Sequence, residues 1–297
     1  MSTVETGEPK ATGGAARPRR RRRRTPAETA GLVCVYALLA VLIVPVLFPL
    51  YYAAVGTFMS VRELATFPPK LIPGGFTFDN LVNVNGAINL DRLYLNSVIM
   101  AGVITVSQLA TSVLAAYAFV FLPLRRRGVV FALFLSTLMI PHEATFIPNY
   151  LMISGWGLDN TYPGLVMPFL AAAFGTFLLR QSFKQFPREL RDAAMMDGMG
   201  HLRFITRILV PLSKPTLMAV SLYVFLTTWN MYFWPLIITD HPDMRTLQIG
   251  LNSLKSAEFA NPGLILAGAF VSVIPTLLLV IFGQRFIVRG LTAGAVK

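Results

Sequence analysis

Six long apolar stretches decide what this chain can fold into. Ala30 to Val55, Ser97 to Leu122, Thr161 to Leu179, Thr216 to Ile238 and Pro262 to Gln284 contain no Asp, Glu, Lys or Arg, and Val129 to Met152 contains only His142 and Glu143. About 20 mostly apolar residues suffice for a helix to cross the hydrocarbon core of a bilayer. A soluble fold has no use for six such runs. Of all residues, 55% are hydrophobic and 13% charged, against roughly 25% charged in soluble domains. An ordinary soluble enzyme and a disordered chain are both excluded. The sequence predicts an all-α membrane protein with six transmembrane helices near 30–55, 97–122, 129–152, 161–179, 216–238 and 262–284. One cysteine, Cys34, leaves no disulfide framework.

The first run follows a block of arginines, as a secretory signal does. A signal's apolar core is shorter and ends at a small-residue cleavage site. Here the run is 26 residues long and ends among Pro45, Pro49, Tyr51 and Tyr52. It is read as a retained first span. Prolines inside a span are tolerable where neighbours satisfy the freed carbonyls.

Loop charge gives the orientation. With the N-terminus inside, 21 of the 26 lysines and arginines fall in inner segments and 5 in outer ones: Arg62, Lys70, Arg92, Arg245 and Lys255. The positive-inside rule then places both termini of a multi-pass membrane protein on the cytoplasmic side. Residues 1–28 form a cytoplasmic polybasic tail, expected to be disordered because its Gly, Ala, Pro and Arg cannot bury a core. Its block Arg17, Arg19 to Arg24 admits a nucleic-acid reading; contact with anionic lipid is the better one, so membrane lipid and no nucleic acid are expected as partners. A six-span domain occupies 29–290, with an inner loop at 186–215, and 291–297 form a cytoplasmic C-terminal tail. The outer loop Thr57 to Asn96, with Pro68, Pro69, Pro73, Gly74 and Gly75, reads as irregular.

The inner loop between the fourth and fifth runs is the most informative segment. It reads as two short helices. Pro187 suits a first helical turn. Glu189 and Asp192 place acid near the positive end of a helix dipole. Gly198 is a natural stop because it can turn left-handed. A second helix then runs to Pro211, with Leu202, Ile205, Ile208 and Leu209 at helical spacing. Ala193 and Ala194 offer a smooth side that another protein could approach, and Met195 and Met196 are adaptable apolar groups. An amphipathic connector lying on the bilayer is the alternative reading.

Within this loop stand Asp192-Ala193-Ala194, then Gly198 after three residues, Ile208 after nine more, and Val210-Pro211 after one. The pattern resembles the coupling loop of ABC importer permeases, which reads Glu-Ala-Ala, three residues, Gly, nine residues, Ile, one residue, Leu-Pro. Two positions depart, Asp for Glu at 192 and Val for Leu at 210. Asn96-Ser97, Trp229-Asn230 and the end from Gln284 to Lys297 extend the resemblance. They are similar to the second, six-span permease of the carbohydrate-uptake systems of the maltose and glycerol-3-phosphate type. The resemblance implies a heterodimer with a homologous second permease, two cytoplasmic ATPase subunits and an extracytoplasmic solute-binding protein. It implies ATPase coupling through Glu189, Asp192, Ala193, Ala194, Asp197, Gly198, Ile208 and Pro211. No Gly-Lys pair occurs, so no phosphate-cradling loop is available. The chain is expected to hold no cofactor and not to be an enzyme, with ATP bound by its partners.

Four polar residues within the runs are candidates for the solute pathway. Glu143 is the only acid in a span, and an ionisable group at membrane depth is a functional suspect; packing at a polar break among Pro141, Thr145, Pro148 and Asn149 is the structural reading. A proton-coupled secondary transporter or channel using Glu143 is the rival function. Asn230 and Tyr232 lie among aromatics suited to sugar faces, and equally to an interfacial belt. Gln108 is a pathway candidate or interhelical glue. The scattered histidines His142, His201 and His241 have no metal-ligand spacing, and no catalytic residue is expected.

Overall fold

The computed structural model describes residues 26–255 and 261–293, side chains being described over 30–255 and 261–284. The polybasic block and the final residues lie outside them, as does the disorder expected for the tail. Among the described residues there are helices and no strands. The chain divides into two compact units, Met1–Pro49 and Leu50–Lys297. The described part of the first belongs to one helix, α1 (Pro26–Thr57), which keeps Pro45 and Pro49 in its interior.

The second unit continues with α2 (Val61–Leu64), α3 (Asp79–Ile88) and α4 (Leu90–Phe121). The segment read as an irregular loop is therefore partly helical. A capping box makes α2: Ser60 Oγ accepts from the Glu63 amide while Glu63 accepts from the Ser60 amide. Then follow α5 (Arg127–Ser136), α6 (Phe146–Gly155), α7 (Tyr162–Val166) and α8 (Ala173–Phe183). After these come α9 (Arg188–Met196), α10 (His201–Phe204), α11 (Val210–Leu212) and α12 (Lys214–Trp229). The chain ends with α13 (Phe233–Ile238), α14 (Leu247–Ser253) and α15 (Pro262–Ala293).

Among the described residues, three helices are long and apolar enough to cross a membrane: Ala30–Thr57, Leu90–Phe121 and Pro262–Gln284. Three bent pairs bring the number to six if each is one span: Arg127–Met139 with His142–Gly155 (94°), Tyr162–Phe169 with Ala173–Phe183 (48°), and His201–Leu212 with Lys214–Trp229 (85°). The breaks have local causes. Ile140 sits in extended backbone before Pro141, as the residue before a proline prefers. Pro168 interrupts the fourth run and leaves a gap from Leu170 to Ala172. The 85° bend falls at Ser213, and a further break at Asn230 to Tyr232 separates α12 from α13, because Asn230 caps α12 with its side chain on Leu226 O (2.8 Å) and Pro235 cannot continue a helical ladder.

Helix α4 is the axis of the second unit, packed against α8 and α12, while α12 also packs on α15. Small residues let α8 approach closely: a Cβ on Gly175 would come 2.6 Å from Ser112 Oγ on α4. Carbonyls freed at the fourth-run break are met from α4. Gln108 Nε2 donates to Phe169 O (2.8 Å), and Ser107 Oγ donates to Leu170 O (2.9 Å). At the other end of this region Asn96, fully buried, donates to Asp243 O and Arg245 O, each at 2.8 Å, and accepts from the Tyr162 hydroxyl at 2.8 Å. Trp229 is buried, stacked on Phe225, with its indole N–H donated to Ser272 O on α15 (3.1 Å).

Candidate functional site

The linker between the fourth and fifth runs is a compact helical knob. Its first helix, α9, ends in a Schellman turn: the Gly198 amide donates to Met195 O (3.1 Å) and the Met199 amide to Ala194 O (2.9 Å), with Gly198 at φ +75°. Nothing lies within 4 Å of where a Gly198 Cβ would be, so glycine is needed for backbone conformation and not for space. The chain then enters α10, a π-helical turn Ile205–Leu209, and α11. That π turn changes the buried face. Phe204, Ile205 and Leu209 point inward, whereas Leu202 is 69% exposed, contrary to the simple spacing read from sequence.

Ala194, Phe204, Ile205 and Leu209 join Val113, Ala116, Tyr117 and Phe121 of α4 and Leu179 and Phe183 of α8 in one apolar cluster. Met195, Met199 and Ile208 pack on it. Ala194 is therefore part of this chain's own core and not of a free smooth side. Tyr117 adds a polar tie, its hydroxyl hydrogen-bonded to His201 Nδ1 at 2.6 Å. The opposite side of the knob is exposed. It carries Glu189, Asp192, Ala193, Met196, Asp197 and Pro211, with Met196 83% exposed. Arg191 and Asp192 form an ion pair at 3.7 Å.

Breaks in the third, fourth and fifth runs converge on a cavity of about 590 Å³. It gathers Gln108, Asn230 and Tyr232, three of the four pathway candidates, with His142, Tyr223 and Thr227 among its further lining. Phe174 and Tyr223 face each other at 4.4 Å, and Tyr232 meets Phe233 edge-on at 5.4 Å. The candidates do not stand equally free. Gln108 has its amide committed to Phe169 O, and the Tyr232 hydroxyl accepts from Asn252 Nδ2 (2.9 Å). Glu143 does not line the cavity. It sits in the turn His142–Thr145 at the sharpest break, exposed and with no side-chain partner among the described residues. Among those residues no cluster of His, Cys, Asp and Glu could hold a metal ion.

A family model described as binding-protein-dependent transport system inner membrane component matches residues 13–292. The chain belongs to this family. The permease is 35% identical over 264 residues to the sn-glycerol-3-phosphate transport system permease protein UgpE of Yersinia pestis bv. Antiqua (strain Antiqua), covering 86% of this chain and 94% of that one. The protein of the same name from Brucella abortus (strain 2308) is 35% identical over 258 residues, covering 84% and 92%. A chain in the crystal structure of a bacterial ABC transporter involved in the import of the acidic polysaccharide alginate shares the fold. Its TM-score is 0.79, covering 89% of this chain and 99% of that chain at 22% identity.

The permease is thus an inner-membrane component of a carbohydrate-type ABC importer, as the linker motif and C-terminus implied. Its relatives are transport permeases and not enzymes. Sequence reasoning missed the Tyr117–His201 tie and the aromatic lining from Phe174 and Tyr223. A histidine beginning a short helix was the available signal for the first. The second gives none, because an aromatic at helical spacing reads as core.

Proposed function

We propose that the permease forms half of the translocation pathway of an ATP-driven importer for a carbohydrate or sn-glycerol-3-phosphate-like solute. In this reading it pairs with a homologous second permease and receives solute from an extracytoplasmic binding protein. Both termini and the linker lie in the cytoplasm, where the linker docks one of two ATPase subunits, the other docking on the second permease, and these subunits bind the ATP. The observation that carries this is the two-sided linker. One side is fused to the α4–α8 cluster through Ala194, Phe204, Ile205 and Leu209, and the other leaves Glu189, Asp192, Ala193, Met196 and Asp197 to solvent. A push on the exposed side moves α9 as a rigid body and loads α4, whose Gln108 borders the cavity. That is the coupling of a distant two-state element to a gate.

The cavity favours an uncharged polyol on this half of the pathway. Its lining offers aromatic faces, amides and hydroxyls, and no Lys or Arg. Any anionic group on the solute is then met by the other permease. A proton-coupled carrier reading has no support from Glu143, which lies outside the cavity lining.

The deciding experiment measures uptake and ATP hydrolysis in proteoliposomes holding the whole transporter. Met196→Asp is expected to release the ATPase subunits and abolish uptake, while the permease pair stays assembled. Full uptake by that variant, or uptake driven by a proton gradient without ATP, overturns the proposal.

A further inference from the structure

A second cavity, of about 690 Å³, opens between the α4–α5 turn and α9. Its lining includes Leu122, Pro123, Leu124, Arg127, Arg188 and Arg191. Three arginines therefore line one hollow, Arg127 also donating to Val120 O at its rim (3.3 Å), and Arg188 opens α9, where the helix dipole adds further positive potential. Arg180 stands close by within electrostatic range of Arg127, with its Cζ 3.7 Å from the Phe131 ring centroid. Acid does not balance them. Asp192 pairs with Arg191 only at 3.7 Å and faces solvent, and Glu189 is exposed. Arg191 Nε is buried without a hydrogen-bond partner among the described residues. A buried donor left unmade costs about 1–3 kcal/mol, so Arg191 gains by turning its guanidinium to an acceptor oxygen placed in the hollow.

One flank of the hollow shows which kind of acceptor. Just past Arg127, the α5 residues Val129, Val130 and Leu133 share one face and are 59%, 47% and 65% exposed. A cationic hollow at the foot of an exposed apolar helix face matches a molecule with an anionic head and an acyl chain. We propose that this cavity binds the phosphate of an anionic phospholipid. The headgroup lies among Arg127, Arg188 and Arg191, and the acyl chain lies along Val129, Val130 and Leu133. The site bridges the α4–α5 turn and α9, so the bound lipid stiffens the seat of the linker. That consequence rests on the functional reading above; the binding itself does not.

The test uses the full transporter in nanodiscs, with retained lipid read by native mass spectrometry. Wild type is expected to retain phosphatidylglycerol over phosphatidylcholine. The double variant Arg127→Gln, Arg191→Gln is expected to lose at least tenfold of that retention, and Val130→Asn to lose part of it. Millimolar inorganic phosphate is expected to leave the retained lipid in place. Equal retention by wild type and the double variant overturns the site. Displacement by inorganic phosphate alone makes it a free-phosphate site and overturns the lipid assignment. If the double variant sheds its ATPase subunits in phosphatidylcholine discs, where no anionic lipid is present, the arginines meet an acidic protein surface and the proposal falls. Loss of lipid selectivity in a complex that still holds its ATPase, beside loss of the ATPase in Met196→Asp, separates this site from the docking face.

Discussion

Tyr117 on α4 and His201 at the start of α10 are joined by a hydrogen bond of 2.6 Å and an edge-on ring contact. Tyr117 is buried, and His201 lies at the solvent edge. The bond therefore links the second apolar run to the far half of the linker, past the Gly198 turn. A neutral hydrogen bond of this kind is worth about 1 kcal/mol net. Tyr117→Phe keeps the ring packing against Phe121 and Phe204 and removes only the bond. The expected result is a fall in stability of about 1 kcal/mol and weaker coupling of ATP hydrolysis to uptake. In a double-mutant cycle with His201→Ala the two effects are expected to be non-additive. Additive effects in thermal melts dismiss the tie.

Gly198 offers a cleaner backbone test. Its φ of +75° lies in the left-handed region, and a Cβ there meets nothing within 4 Å. A β-branched side chain then costs about 1–2 kcal/mol through backbone preference alone. Gly198→Val is expected to unwind the Schellman turn and uncouple transport, leaving ATP hydrolysis insensitive to solute. Gly198→Asn, which tolerates that region, is expected to keep most uptake. Equal behaviour of the two variants counts against the turn as the element that fixes the linker's shape.

How far the sequence reached depended on which interactions set each feature. The first, second and sixth runs, which form long apolar helices, and the Gly198 stop are local properties, and these stand in the structure. Ala194 was misjudged because its neighbours in space, Tyr117 and Leu179, are distant in the chain. Leu202 was misjudged because the π turn at Ile205–Leu209 shifts the register that a 3.6-residue period assumes. The polar break around Pro141 in the third run was legible, whereas the breaks in the fourth and fifth runs escaped because hydropathy averages over a bend. The prolines Pro168 and Pro235 were the available signs.

Gln108 tests whether a polar residue beside the cavity serves solute or scaffold. Its amide donates to Phe169 O, a carbonyl freed by the break after Pro168. Gln108→Met keeps the length and removes the donor. The buried carbonyl left unpaired is expected to cost about 1–3 kcal/mol, seen as a lower melting temperature of the purified transporter. The expected solute KM is unchanged within about twofold. A large KM rise without loss of stability assigns Gln108 to solute contact instead.

Acid sensitivity is expected in the segment between α1 and α3. The Glu63 carboxylate accepts from the Ser60 amide, the Gly74 amide and the Ser60 hydroxyl, and lies 3.8 Å from Lys70 Nζ. These bonds, led by the Ser60 amide, hold its pKa below the ordinary 4.5. A depressed carboxyl contributes order that is fully present above its unfolded pKa and is lost as pH falls through the folded value. The segment is therefore expected to be indifferent to pH between 5 and 8 and to loosen only in acid below about 4.5. Hydrogen exchange at the Gly74 amide checks this: its protection should drop across that acid range in the wild type. In Glu63→Gln it should be low and flat at every pH, since a neutral amide accepts more weakly than a carboxylate. A wild-type profile that follows the variant's would show that Glu63 does not hold Gly74.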